Sequence, residues 1–263
     1  MVLEEIVRVW VGVYRKAMKL FVSHARQGGR PILWYLTAAN CLLIAACGQA
    51  GSAPEAPVAA PVASEATAAI ADVPDGGVRV VFLGDSLTAG YGLAQDDALP
   101  EQVEAIWRAN GINAEAINAG VSGDTTANGL ARFDWSVSAA DPDLLVISLG
   151  ANDFLLGIDA DITRANLKSI LDLAQTEGIP AVLVGLEPRG EIQAGSREAE
   201  FAAVYPELAA EYGVAYYPSL LAPIESDPAM LQPDGLHPTS EGVGKISESL
   251  AGFLAPIVSS LDE

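Results

Sequence analysis

Val-Val-Phe-Leu-Gly-Asp-Ser-Leu, residues 80–87, is an apolar run that stops at Gly84 and sets a serine two positions beyond it. A short run of large apolar residues bounded by a glycine turn reads as a buried strand. A strand that breaks into a polar turn in this way holds the next hydroxyl, that of Ser86, at the edge of a sheet, where a substrate can reach it. Taken alone, Gly84-Asp85-Ser86-Leu87 is also ordinary turn chemistry, so its meaning depends on the segments downstream of it.

Three later segments repeat the pattern of apolar strand followed by small or polar residues. Ala116-Ile117-Asn118 runs into Gly120-Val121-Ser122-Gly123-Asp124, and Leu144–Leu149 runs into Gly150-Ala151-Asn152-Asp153. Asp234-Gly235-Leu236-His237-Pro238 lies between the last strand candidate and a final helical stretch. Strand candidates at 79–83, 114–118, 144–149, 181–186 and 214–217 alternate with amphipathic stripes of helical period. One stripe is Leu99, Val103, Ile106 and Trp107; another is Leu167, Ile170, Leu171 and Ala174, stopped by Gly178 and Pro180. Phe201, Val204, Tyr205, Leu208 and Tyr212 form a third that ends at Gly213, and Val243, Ile246, Leu250, Phe253 and Leu254 form the last. Such alternation predicts an α/β fold, a parallel sheet with helices on both faces. Open parallel sheets bind ligands outside the carboxyl ends of their strands, so Ser86, Gly123 and Asn152 are expected at one edge.

In order and content, these four blocks resemble the SGNH hydrolases, also called the GDSL esterase/lipase family, over about residues 78–258. The phrases at 84–92 and 122–125 are most similar to the bacterial periplasmic branch of arylesterases, thioesterases and lysophospholipases. The resemblance implies a three-layer α/β/α sandwich with a mostly parallel, five-stranded, flavodoxin-like sheet. It also implies carboxylic ester hydrolysis without a cofactor and puts the family's four named residues on Ser86, Gly123, Asn152 and His237.

The residues support the same chemistry on their own. A serine hydroxyl is a poor nucleophile until a base takes its proton, and imidazole is the usual base near neutral pH. The chain has two histidines, His24 and His237, and His24 lies ahead of an export segment. A serine–histidine pair in the folded domain is therefore Ser86 with His237. Asp234 precedes His237 by three positions and can accept the Nδ1 proton, leaving Nε2 free for the serine. An Asp-x-x-His could instead be a metal pair, but a catalytic zinc needs about three protein ligands, and no second histidine or domain cysteine is present. For the oxyanion, the expected donors are the N–H groups of Ser86 and Gly123 and the side-chain amide of Asn152. The alternatives are a plain turn at Gly123 and a cap by Asn152 on a short helix at 153–157. Asp85, Asp124 and Asp153 are read as turn and capping groups that hold the loops. There is neither a Gly-x-Ser-x-Gly elbow nor a Walker phosphate loop.

Ahead of this domain, residues 31–46 form an apolar stretch behind Arg26 and Arg30, shorter than a membrane span and suited to an export signal. It ends in Ile44-Ala45-Ala46-Cys47-Gly48, which resembles a bacterial lipoprotein box cut before an acylated Cys47. An uncleaved anchor and an ordinary signal peptide are the alternatives, and all three put the later residues on the periplasmic side. Met18 offers an alternative start. The expected organisation is an export segment at 1–47, an Ala/Pro-rich tether at 48–77 and a hydrolase domain at 78–263. Cys41 and Cys47, the two cysteines, both fall in the export segment, so no disulfide or thiol chemistry is expected in the domain.

The formal charge is −20, and six basic against two acidic residues before Cys47 leave −24 on the remainder. That surface repels nucleic acid and anionic lipid. The expected partner is a small-molecule ester, the protein is expected to be a monomer, and its membrane contact is expected only through the lipid anchor. Residues 187–197 are more charged than the corresponding loop in the resembling family, which favours short, soluble or aryl esters over long acyl chains. Thioesterase or lysophospholipase activity, an O-deacetylase acting on carbohydrate or peptidoglycan, and a non-catalytic binding lipoprotein are the competing expectations.

Overall fold

The structure, a computed structural model, describes residues 77–186 and 192–262. The expected export segment with Cys47, nearly all of the tether, and residues 187–191 of the charged loop lie outside the described residues.

The opening apolar run forms β1 (Val78–Gly84), in which Val80, Val81, Phe82 and Leu83 are all buried. Burial of successive residues requires cover on both faces, because side chains alternate across a strand. Val80 and Phe82 pack with Leu144 and Val146 of β3 (Leu144–Ser148) and with Val182 and Val184 of β4 (Ala181–Val184). That face is covered by α2 (Leu99–Ala109) and α8 (Ser240–Leu261). Val81, Leu83, Leu145, Ile147 and Leu183 point the other way, beneath α6 (Ala160–Glu177) and α7 (Arg197–Tyr212). The edge strands are β2 (Ala114–Gly120) and β5 (Ala215–Tyr217), so the order is β2-β1-β3-β4-β5 with every neighbouring pair parallel. This is the flavodoxin-like strand order, and the expected α/β/α layering holds. Of the four short helices, α1 (Ser86–Ala89) follows β1, α3 (Thr126–Ala131) and α4 (Phe133–Ser136) follow β2, and α5 (Ala151–Leu156) follows β3.

Register determines where the loops emerge. Gly84 at the end of β1 is level with Gly120 of β2 on one side and Ser148 of β3 on the other. The chain therefore leaves three adjacent strands at the same height, which puts the segments after them at one sheet edge.

The two helices over the first face are joined by Trp107, which is 1% exposed and donates its indole N–H to the carbonyl of Ala251 at 3.2 Å. Its ring also lies 6.3 Å from that of Phe82. Replacing Trp107 with alanine opens a cavity between α2, α8 and β1. We expect Trp107→Ala to lower unfolding stability by about 3–5 kcal/mol, read by urea denaturation.

Candidate active site

The turn after β1 is tight because the chain folds straight back over the strand end. A Cβ at Gly84 would fall 1.9 Å from the Thr88 hydroxyl oxygen, so this position admits no side chain without moving α1. Asp85 caps α1, its carboxylate accepting the Leu87 N–H at 3.0 Å, and Ser86 is the first helical residue. Two groups reach the Gly84 carbonyl: the Val121 N–H at 3.0 Å and the Arg132 guanidinium at 2.9 Å.

Arg132 ties that turn to the loop after β2. Its Nε donates to the Asp124 carboxylate at 2.6 Å, and both residues are buried. Asp124 also presents its backbone carbonyl to the side-chain amide of Asn152 at 2.8 Å. Asp153, fully buried, accepts the Thr126 N–H at 2.8 Å and the hydroxyls of Thr126 and Thr163. Asp85, Asp124 and Asp153 thus hold loops, as expected from their positions. Between them Gly123 sits at φ +90°, a backbone conformation that glycine adopts without a steric penalty. A capping role for Asn152 does not fit: the helix is Ala151–Leu156 with Gly150 at its N-cap, and Asn152 lies inside it. Its amide spends one N–H on Asp124, which fixes its orientation across two loops.

The last elements come from the segment before α8. Ser86 Oγ lies 2.9 Å from His237 Nε2, and His237 Nδ1 lies 2.7 Å from Asp234 Oδ2. With the Nδ1 proton donated to the carboxylate, Nε2 is the acceptor for the serine hydroxyl. The other Asp234 oxygen accepts the N–H groups of Leu236 at 2.9 Å and His237 at 3.1 Å. The imidazole hydrogen bond foremost, then these two N–H donors, hold the Asp234 carboxyl down to about 2. Gln232 closes the loop on itself, its N–H donating to the His237 carbonyl at 2.7 Å. Its side-chain amide donates both to Tyr91 O at 2.8 Å and to Pro238 O at 2.9 Å, linking this loop to the segment after α1. The Tyr91 ring rests on the His237 imidazole with centroids 4.4 Å apart.

Ser86, Gly123, Asn152 and His237 all line one cavity of about 550 Å³, within the size range of small-molecule sites. Among the described residues the remaining wall is mostly apolar, including Phe154, Leu155, Leu186, Leu221 and Leu236, with Glu198 as the one acidic member. Arg197 does not line this cavity. Its guanidinium donates to the carbonyls of Phe154 at 2.8 Å and Ile158 at 3.1 Å and lies 4.4 Å from the centre of the Phe154 ring. The described arginine of the charged run at 187–197 therefore serves the end of α5 and not the cavity wall. Among the described residues, no group of three or more His, Cys, Asp or Glu side chains is placed to hold a metal ion. Arg132, Tyr91 and Gln232 join the site without any mark in the sequence around them. Tyr91 falls within the phrase 84–92, but nothing local distinguishes it there.

Comparison with known proteins gives a consistent picture. The model of the GDSL-like lipase/acylhydrolase family matches residues 82–244. An arylesterase of Vibrio mimicus is 34% identical over 174 residues, covering 66% of this chain and 86% of the relative. The thioesterase 1/protease 1/lysophospholipase L1 of Escherichia coli (strain K12) is 31% identical over 179 residues, 68% of this chain and 84% of the relative. Among solved structures, that of AlinE4, described as an SGNH-hydrolase family esterase, is 37% identical with a TM-score of 0.57, covering 70% of this chain and 96% of that one.

One electrostatic consequence concerns Asp85, which is 2% exposed directly behind Ser86. Burial raises its carboxyl from 3.8 to about 6; the Leu87 N–H and His237 oppose this, while Asp124 and Asp153 add to it. Because the folded pKa lies above the unfolded one, the protonated form contributes stability below pH about 4, lost as pH rises through about 6, roughly 3 kcal/mol in all. Asp85→Asn keeps an acceptor for the cap and carries no charge. Urea denaturation across pH 4–7 is expected to show this decline in the native protein and its absence in Asp85→Asn.

Proposed function

The chain belongs to the GDSL-like lipase/acylhydrolase family and is a carboxylic ester hydrolase; on that premise we propose that it works through an acyl-enzyme formed on Ser86. The observation that carries this reading is the unbroken hydrogen-bonded chain from Ser86 Oγ through His237 to Asp234. Ser86 attacks the ester carbonyl carbon as His237 Nε2 takes its proton. The tetrahedral intermediate collapses when the carbon–oxygen bond to the alcohol breaks and His237 returns the proton to that oxygen. Water then attacks the acyl-enzyme, giving a proton to His237, and the acid leaves as Ser86 recovers its hydrogen. Asp234, ionised throughout, orients the imidazole and favours the imidazolium that forms at each step. The N–H groups of Ser86 and Gly123 and the Asn152 amide receive the oxyanion. Neither of those N–H groups donates to any partner among the described residues.

The reading extends to uncharged aryl and short acyl esters. A cavity whose described lining is mostly apolar with one acidic residue, on a chain of formal charge −20, disfavours anionic substrates. The relatives named as arylesterase and as thioesterase and lysophospholipase support this breadth for themselves.

Ser86→Ala is expected to lose on the order of 10⁶ in turnover, and Asp234→Asn on the order of 10⁴, as measured by steady-state hydrolysis of a chromogenic ester. A fluorophosphonate probe is expected to label Ser86 in the native protein. Wild-type activity in Ser86→Ala would overturn the assignment.

The sequence at Ile44–Gly48 supports a second proposal, that Cys47 is acylated and holds the enzyme on the periplasmic side of the envelope. Labelled palmitate is expected to enter the native protein in a bacterial host and to be absent from Cys47→Ser. Equal labelling of the two would remove the anchor.

A further inference from the structure

We propose that Tyr91 is the platform for the alcohol side of the ester and makes the site prefer an aromatic leaving group; this rests on the acyl-enzyme reading above. The imidazole presents its Nδ1 edge to Asp234 and its Nε2 edge to Ser86, so the proton for the departing alcohol comes from Nε2. The leaving oxygen must therefore come within hydrogen-bond reach of that nitrogen, about 3 Å. Whatever is attached to this oxygen lies beside the imidazole, and Tyr91 occupies one face of that ring at 4.4 Å. Tyr91 also lines the cavity and is 51% exposed, so its ring has free area to offer. Its hydroxyl has no hydrogen-bond partner among the described residues, which leaves the aromatic surface as its contribution.

The rest of the wall separates accordingly. Gly123 and Asn152 stand where the carbonyl oxygen is received, and Phe154 and Leu155 continue from Asn152 along α5. That places the acyl group on the α5 side and the alcohol on the side of Tyr91 and Leu236. The backbone, not the side chain, anchors Tyr91: its carbonyl accepts from Gln232 at 2.8 Å. A side-chain substitution therefore removes the platform while the tie between the two loops stays. An aromatic leaving group gains a ring–ring contact that an alkyl group cannot make.

The test compares 4-nitrophenyl butyrate with ethyl butyrate, which form the same acyl-enzyme and differ only in the alcohol. In Tyr91→Leu the ratio of kcat/KM for the aryl over the alkyl ester is expected to fall roughly threefold to tenfold, the range given by one aromatic pair. Tyr91→Phe is expected to restore the native ratio, and thermal unfolding of both variants is expected to match the native protein. Equal losses on both esters, or a greater loss on the ethyl ester, would overturn the proposal, since a ring that only steadies His237 serves proton delivery, which ethoxide needs at least as much as 4-nitrophenoxide. An unchanged ratio would overturn it as well. Failure of the underlying mechanism reads differently, as ester hydrolysis that persists in Ser86→Ala.

Discussion

The guanidinium of Arg132 holds together the loops that make the site. Among the described residues, the buried charged side chains are Asp85, Asp124, Asp153 and Arg132. Carboxylates away from water are costly unless each finds donors, and the protein meets that demand in three ways. Asp153 takes neutral donors from two threonines, and Asp85 takes one backbone N–H and has a raised proton affinity. Asp124 takes the cation. Because a guanidinium is a flat fork with donors in fixed directions, the same side chain also reaches the Gly84 carbonyl and the Ser136 hydroxyl. An ammonium on a flexible stem would supply the charge without fixing the angle between the Ser86 turn and the Gly123 loop.

This clamp works because the sheet delivers its loops to one place. β1 lies between β2 and β3, and the chain turns to opposite sides of β1 on its two successive crossovers. At such a point the connections diverge and leave a crevice above the strand ends. The three strands finish level, so Ser86, Gly123 and Asn152 reach the crevice without long loops. The histidine loop arrives from beyond β5 and is secured by its own short bridge between Leu231 and Pro238.

The features legible in the sequence and those hidden from it divide along the same line. Strand β1 is legible because two-sided burial writes a continuous apolar run, and α2, α6, α7 and α8 because one-sided burial writes a stripe. Ser86 and Gly123 are legible as polar or small residues just past such runs. Arg132 is not, since an arginine in a short helix looks like any surface cation until its partners 8 and 48 positions away are known. Tyr91 and Gln232 meet across 141 positions, and no local pattern records that contact. Asn152 is open to two readings because a position at a strand–helix junction suits both a cap and an inward amide. Arg197 misleads in the other direction: a place in a charged run says nothing of where the side chain goes, and from the first position of α7 it turns to the open end of α5.

The hydroxyl and the imidazole that meet in the crevice are separated by 151 positions of chain. During synthesis on the ribosome, Ser86 emerges long before its base, and a partly made protein holds a serine with nothing to take its proton. The imidazole is delivered just ahead of α8, whose apolar stripe of Val243, Ile246, Leu250 and Leu254 seals one face of the sheet. Chemical competence and closure of that face therefore come together, once the chain through α8 is available to fold.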